Sequence, residues 1–291
     1  MSPTPELIAN YACHTGENPL WNPLDKRVYW LDIPAGTIFR YNPATGAHEV
    51  FYRGDVMGGF TLQTDGSLLL FGVGGAVRRL HQGKVTTLIE SLPGEAGNRF
   101  NDVMADPAGR VLCGTMPFDT DTGIPSGSLY LLDHDGAIRK LRDNIRLSNG
   151  MGFSPDLKTF YHTDSLARTI TQFEYDAARG DIANPQLFAQ RAPGQGVPDG
   201  LTVDADGFVW SAVWDGARLV RYDPEGRIER EIHFPVKKVS SLTFGGDDYR
   251  DIYVTTAGGE NPGENGELAG ALFRLRLGIQ GKPDFLSACR V

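Results

Sequence analysis

Turn signals return along this chain at nearly even intervals, and each is followed by a short run rich in β-forming residues. One example is Asp106-Pro107-Ala108-Gly109, which precedes the short run Arg110 to Gly114. The intervals between equivalent turn positions are roughly 41, 43, 48, 50 and 41 residues, the length of a four-stranded propeller blade. The equivalent positions are Pro23, Thr64, Pro107, Pro155, Ala205 and Gly246. Six such units fill the chain, so the spacing predicts a repeat architecture.

The fifth unit shows the predicted strands most clearly. Short β runs occupy residues 201–203, 208–213, 218–222 and 228–234, with Asp, Gly and Pro turns between them. No long stretch of the chain has the apolar period or the paired caps of a helix. We therefore predict an all-β fold, a six-bladed β-propeller with four-stranded blades around a central channel, as a single domain over residues 1–291.

Residues 6–12 precede the first unit and read as one more strand. An unpaired edge strand invites association with other chains. We therefore expect residues 6–12 to pair with the last unit near residues 271–277 and so to close the propeller.

Four short polar motifs recur at one phase of this repeat, each with its key residue six positions before a turn anchor. The key residues are Glu17, Asn101, Asn149 and Asp199, and the same offset gives Gly58 and Ser240 in the other two units. Residues at one phase of a propeller occupy equivalent places around the channel, where loops at one mouth carry the site. Carboxylate and amide oxygens gathered there would suit a hard divalent cation. The two small residues leave room for a substrate on one side.

Seven motifs give this chain a specific resemblance to the regucalcin (senescence marker protein)/gluconolactonase/luciferin-regenerating-enzyme family. They cover essentially the whole chain, in the family's order. They are Gly-Glu-Asn-Pro-Leu-Trp at residues 16–21, Asn-Arg-Phe-Asn-Asp at 98–102, Gly-Thr-Met at 114–116, Ser-Asn-Gly at 148–150, Asp-Ser at 164–165, Pro-Asp-Gly at 198–200 and Phe-Gly-Gly-Asp-Asp-Tyr at 244–249.

The resemblance implies a six-bladed propeller that holds one divalent metal in its channel and hydrolyses sugar lactones. It carries the metal-ligand roles onto Glu17, Asn149 and Asp199, and the substrate-holding roles onto Arg99 and Asn101. The hard oxygen ligands admit calcium, magnesium, manganese, zinc or ferrous iron.

The ligand set also predicts how the chemistry would proceed. A bound cation polarises a lactone carbonyl and stabilises the oxyanion that forms when water attacks. We predict Asp199 as the general base, because it lies beside the metal and a carboxylate suffices for a water whose pKa is lowered. The planar fork of Arg99 suits ring hydroxyls or a carboxylate.

One departure from the family concerns the residues after Gly-Thr-Met. Some sugar-lactonase relatives carry an acidic residue there, near the substrate hydroxyls, whereas this chain has Pro117-Phe118-Asp119. Either Asp119 reaches the same spot, or Phe118 makes the pocket prefer a less polar lactone. Both residues are therefore predicted to contact the substrate.

Three other functions stay open on the sequence alone. The first is a promiscuous phosphotriesterase or arylesterase that uses the same metal and Asp199. The second is a non-enzymatic calcium-binding regulatory protein. The third is an interaction scaffold resembling WD-repeat propellers. Such a scaffold would not need Glu17, Asn149 and Asp199 at the same level of the channel.

Composition limits the partners of this chain. Its 28 Lys and Arg residues against 36 Asp and Glu residues give a net charge of −8, which argues against nucleic acid and anionic membranes. Three cysteines match no metal spacing and no disulfide framework, and the first twelve residues lack a signal-peptide pattern, so we expect a cytoplasmic protein. We expect a small-molecule lactone as the substrate, and a monomer or weak homodimer.

Overall fold

β-strands joined by tight turns make up nearly all of the computed structural model, which describes residues 4–118, 120 and 126–290. The strands form six antiparallel sheets of four strands each. The predicted all-β, six-bladed β-propeller with four-stranded blades is therefore confirmed. One short helix is the exception within the described ranges.

The bounds of the elements follow the predicted repeat. In chain order they are β1 (Glu6–Asn10), β2 (Gly16–Asn22), β3 (Arg27–Asp32), β4 (Thr37–Tyr41), β5 (His48–Arg53), β6 (Met57–Leu62), β7 (Leu68–Gly72), β8 (Val77–His81), β9 (Lys84–Ile89), β10 (Asn98–Ala105), β11 (Val111–Pro117), β12 (Gly127–Leu132), β13 (Ile138–Ile145), β14 (Ser148–Phe153), β15 (Thr159–Asp164), β16 (Thr169–Asp176), β17 (Asp181–Gln190), β18 (Val197–Val203), β19 (Val209–Trp214), β20 (Arg218–Tyr222), β21 (Ile228–His233), β22 (Val239–Gly245), β23 (Asp251–Thr256), α1 (Pro262–Asn265) and β24 (Ala271–Arg276).

Blades one to five each use four consecutive strands, from β2–β5 to β18–β21. Burial differs between the first and the last strand of a blade: β6 and β14 are buried at every position, whereas the last strand of blade two, β9, is exposed at most of its positions. All six turn anchors lie between the first and second strands, as predicted.

The chain divides into two compact units, of which the first comprises residues 4–54 and 188–284. It contains blades one, five and six, and blade six has the strand order β1-β24-β23-β22. Glu6 pairs with Arg274 in the register of β1 and β24, and their side chains form an ion pair at 2.7 Å. The predicted pairing of residues 6–12 with the last unit is therefore confirmed. Trp210 packs edge-to-face on Phe244 at 6.0 Å where blades five and six meet.

The second unit comprises residues 55–187 and 285–290 and contains blades two, three and four. Their first strands lie side by side, β6 beside β10 and β10 beside β14. Gly58 is required at one of these contacts, because a Cβ there would lie 1.9 Å from the carbonyl oxygen of Phe100. The small residue predicted at this phase therefore lets two first strands approach closely.

Buried ion pairs hold the turns after the first strands of blades three and five. Asp106 accepts hydrogen bonds from Arg110 Nε at 2.6 Å and from the Tyr175 hydroxyl at 2.7 Å. Asp204 accepts from Arg221 Nη2 at 2.7 Å and from Trp210 Nε1 at 2.9 Å. Both aspartates are completely buried, so these contacts compensate charges that would otherwise be costly to bury.

Two segments outside the blade strands, residues 257–270 and the residues after β24, are held in place by hydrogen bonds. Residues 257–270 contain α1 and are anchored by the buried Asn265, whose Nδ2 donates to the Gly258 carbonyl at 2.8 Å. After β24 the chain runs along the turns: Ala205 N donates to Gln280 O in the first unit, and Ala288 N donates to Gly109 O in the second. Within the described residues, no helix has the length and apolarity needed to cross a membrane.

Candidate functional site

The six positions predicted to be equivalent all lie in the first strand of their blades, at a point where pairing with the second strand shifts register. Strand β18 begins at Val197, earlier than predicted, so Asp199 lies inside a strand. Such bulges redirect a side chain and are frequent beside active sites. The shifts fall at Glu17/Leu20, Met57/Gly59, Phe100/Val103, Ser148/Met151, Pro198/Leu201 and Val239/Ser241. The irregularity therefore recurs in every blade.

In the first unit, the bulges carry the two carboxylates of the predicted site. Glu17 and Asp199 are each only 4% exposed. Glu17 Oε2 accepts a hydrogen bond from the backbone N of Asn18 at 2.9 Å, and Asn18 adopts a left-handed φ of 48° that asparagine tolerates better than most residues. Ser240 lies beside this turn and donates from its hydroxyl to the carbonyl oxygen of Gly16. The Glu17 carboxylate is thus held by the backbone of its own bulge.

In the second unit, Arg99 and Asn101 form one hydrogen-bonded pair. Arg99 Nη1 donates to Asn101 Oδ1 at 2.7 Å and to the Phe100 carbonyl at 2.8 Å. Asn101 Nδ2 donates in turn to the carbonyl oxygen of Ser148 at 2.9 Å. The structure therefore brings together the two residues predicted to hold substrate, and it fixes the amide of Asn101.

Asn149 lies in the bulge of β14 and is buried. Its Nδ2 donates to the hydroxyl of Ser165 at 3.0 Å, and its Oδ1 accepts from Gly150 N at 3.1 Å. An amide oxygen has two lone pairs and can accept from more than one partner. The Asn149 amide is therefore held by two hydrogen bonds within the second unit.

The three predicted ligands, Glu17, Asn149 and Asp199, differ from a metal site made only of charged and imidazole side chains. Over residues 4–118, 120 and 126–290, no three His, Cys, Asp or Glu side chains gather as a metal site. The predicted set contains only two such residues, with an amide as the third donor. Two buried carboxylates and an amide oxygen match the preference of hard cations, and a divalent charge would offset two buried negative charges. The donor chemistry of these three residues therefore fits a hard divalent cation.

The apolar side of the predicted substrate site is exposed. Phe118 is 53% exposed, and its backbone N donates a hydrogen bond at 3.1 Å to the carbonyl oxygen of Gly97, the residue before β10. Val73, which is 40% exposed, pairs with Arg99 in an isolated antiparallel bridge, so their side chains are neighbours. Asp119 lies outside the described residues.

Asp102 is a titratable residue of this region to which the sequence assigned no role. Burial raises the pKa of its carboxyl to about 7, and the neighbouring Arg99 opposes that rise. It follows Asn101 within the bulge of β10, so its place in the Arg-Phe-Asn-Asp motif is the signal that would have found it.

Similarity to known proteins agrees with these motifs. Residues 15–258 match the family model described as "SMP-30/Gluconolactonase/LRE-like region". A relative from Haloferax volcanii, the pentonolactonase XacC, is 42% identical over 98% of both chains.

Solved structures extend the similarity to three dimensions. A luciferin-regenerating enzyme superposes with a TM-score of 0.90 at 26% identity and covers 98% of this chain and 99% of its own. The calcium-binding protein regucalcin from Agrobacterium tumefaciens superposes with a TM-score of 0.89 at 25% identity and covers 99% and 98%. The bulged first strands, the ordered motifs and a family match over most of the chain lead to one conclusion: this chain belongs to the SMP-30/gluconolactonase/LRE-like family.

Proposed function

We propose that this protein is a divalent-cation-dependent lactonase that opens a sugar lactone to its hydroxy acid. The observation that carries the proposal is the bulge shared by all six first strands, at the phase where Glu17, Asn149 and Asp199 occur. Membership of the family and similarity to a pentonolactonase support the substrate class.

We assign the cation to Glu17, Asn149 and Asp199. When bound, the cation would polarise the lactone carbonyl and favour the oxyanion of the transition state. Calcium, magnesium, manganese, zinc and ferrous iron are all compatible with oxygen donors. Calcium is the first to test, because a structural neighbour is a calcium-binding regucalcin.

The chain's own residues account for the remaining steps. Asp199 orients the attacking water and accepts its proton as the water oxygen bonds to the carbonyl carbon. The ring C–O bond then breaks, and the ring oxygen takes up a proton to leave as a hydroxyl on the same molecule. Arg99 and Asn101 hold substrate oxygens, since the guanidinium presents several N–H donors.

Phe118 and Asp119 are proposed to border the substrate. The exposed ring of Phe118 offers an apolar face to the sugar's C–H groups. An acidic residue at this position would instead accept hydrogen bonds from hydroxyls. The lactone of this enzyme would therefore have fewer hydroxyls on the side that meets Phe118.

The deciding experiment is lactone hydrolysis, followed by proton release, with the metal stripped and then restored one ion at a time. Aldonolactones would be compared with a non-sugar lactone and an aryl phosphotriester. Asp199→Asn and Asn149→Ala are the site variants, and Asp206→Asn is the matched control, because Asp206 is an exposed turn residue of the same blade. Metal-dependent turnover of an aldonolactone that both site variants lose and the control keeps would support the proposal.

A second function is favoured by one observation, the exposed aromatic ring of Phe118. That ring suits an aryl leaving group, so an arylesterase or phosphotriesterase is the alternative on the same residues. Turnover of the aryl phosphotriester alone would establish it. Metal binding with no turnover of any substrate would leave a calcium-binding regulatory protein.

A further inference from the structure

A fully buried histidine lies behind the substrate-binding pair of the second unit. His162, in β15, has its Nε2 2.8 Å from the hydroxyl oxygen of Ser148, the first residue of β14. Its ring is parallel to that of Phe160, with 6.2 Å between the ring centroids. The imidazole is therefore held by packing and by one hydrogen bond.

The proton on this ring can be assigned. Burial, with a smaller contribution from the positive charge of Arg142, lowers the pKa of His162 to about 3, so the ring is neutral. Its Nδ1 has no hydrogen-bond partner among the residues that the structure describes. A proton on Nδ1 would bury an unsatisfied N–H, which is costly. The proton therefore sits on Nε2, which donates to Ser148 Oγ.

Ser148 connects this ring to the substrate-binding pair. Its hydroxyl is confined, because a Cβ on Gly114 would lie 1.8 Å from Ser148 Oγ. Its carbonyl oxygen accepts from Asn101 Nδ2 at 2.9 Å, and Asn101 Oδ1 accepts from Arg99 Nη1 at 2.7 Å. A continuous series of hydrogen bonds and one residue's backbone thus joins the buried ring to the guanidinium, all within the second unit.

We infer that His162 is a positioning residue, which holds the Asn101 amide and the Arg99 guanidinium in place through Ser148. The inference rests on the proposed function, because it takes Arg99 and Asn101 as the groups that bind the lactone. Small displacements of binding groups weaken a productive complex strongly. Loss of the His162 hydrogen bond is therefore expected to act mainly on KM.

The test compares two substitutions at one position. His162→Leu removes the donor and supplies an apolar side chain, and we expect KM to rise up to about tenfold, the upper range for one neutral hydrogen bond, while kcat changes by less than about threefold. His162→Gln supplies an amide N–H in place of Nε2, and we expect it to recover most of the wild-type KM. A His162→Leu variant with the wild-type KM would overturn the inference.

Matched controls separate positioning from general loss of stability. Thr163→Val removes a buried hydroxyl that has no partner in the described part of the chain, one residue from His162, and should leave KM unchanged. Ile170→Ala opens a cavity in the same blade and should lower Tm with KM unchanged. If Ile170→Ala raises KM as much as His162→Leu does, the positioning role is wrong.

A spectroscopic readout tests the hydrogen bond without turnover. In ¹⁵N-histidine NMR of the full chain, we expect one ring to remain the neutral Nε2–H tautomer from pH 5 to pH 8, and this signal to be absent in His162→Gln. An Nδ1–H tautomer, or a ring that titrates in this range, would contradict the assignment. A wild type that hydrolyses no lactone defeats the proposed function, whereas an active wild type with unaffected His162 variants defeats the inference alone.

Discussion

At the scale of single residues, the proposed site has two kinds of group: those that would bind the cation and those that would hold the substrate. In the proposal, Glu17 and Asp199 supply the negative charge, and Asn149 supplies a neutral amide oxygen while its Nδ2 donates to Ser165. Arg99 and Asn101 form a fixed donor pair instead. Substitutions at these positions should therefore have different effects, and each can be measured separately.

Asp199→Asn keeps the volume of the side chain and removes its ability to accept a proton. We expect kcat for the aldonolactone to fall by about 10²–10⁴, the usual contribution of a general base. Steady-state kinetics at saturating metal checks this. A fall that added metal or higher pH fully restores would show that Asp199 is not the proton acceptor.

Glu17→Gln removes one of the two buried carboxylates. A ligand that binds only the folded protein raises Tm, so calcium should stabilise the wild type in a thermal melt. We expect the variant to lose most of this calcium-induced rise, because its donor set has one negative charge fewer. If calcium raised Tm equally in the two proteins, Glu17 would not be a calcium ligand.

At the scale of elements, the turns were predictable and the bulges were not. The turn anchors use Asp, Pro and Gly chemistry that is local, and they located all six first strands. The constant offset of six residues then singled out Glu17, Asn149 and Asp199 as candidate ligands, and their role stays a prediction. The register shifts depend on pairing with the next strand, so no local pattern marked them. The link from His162 to Ser148 joins neighbouring strands and was missed for the same reason.

Asp204 shows how much a single buried charge contributes to one blade. It is completely buried and accepts hydrogen bonds from Arg221 and from Trp210. Asp204→Ala leaves the guanidinium of Arg221 without this partner, and we expect the free energy of unfolding to fall by about 3–5 kcal/mol. Urea denaturation measures this change, with exposed Asp206→Ala as the control. A loss below about 1 kcal/mol would mean that Arg221 finds another partner.

At the scale of the whole molecule, acid should destabilise the fold through His162. Its pKa is about 3 in the folded protein and about 6.5 in the unfolded chain. Because only the unfolded chain takes up the proton between these values, stability is present above pH 6.5 and is lost as pH falls toward 3. The raised pKa values of Asp102 and Asp284, about 7 and about 6, act in the opposite sense.

Comparison with His162→Gln isolates this effect, because the two aspartates are common to both proteins. Between pH 7.5 and pH 5, we expect the wild type to lose about 2 kcal/mol more unfolding free energy than the variant. Urea denaturation at the two pH values gives the difference. Equal losses in the two proteins would mean that protonation of His162 does not contribute to the acid destabilisation.

Blade six joins the two ends of the described sequence, since β1 pairs with β24. The partners Glu6 and Arg274 are 268 residues apart. During synthesis, β1 emerges before its partner and stays unpaired until residues 271–276 have been made. Blades one to five use only consecutive strands, so each can form as it emerges. The sixth blade is therefore the last to be completed. In a nascent chain halted before residue 271, β1 would remain unpaired and accessible to chaperones.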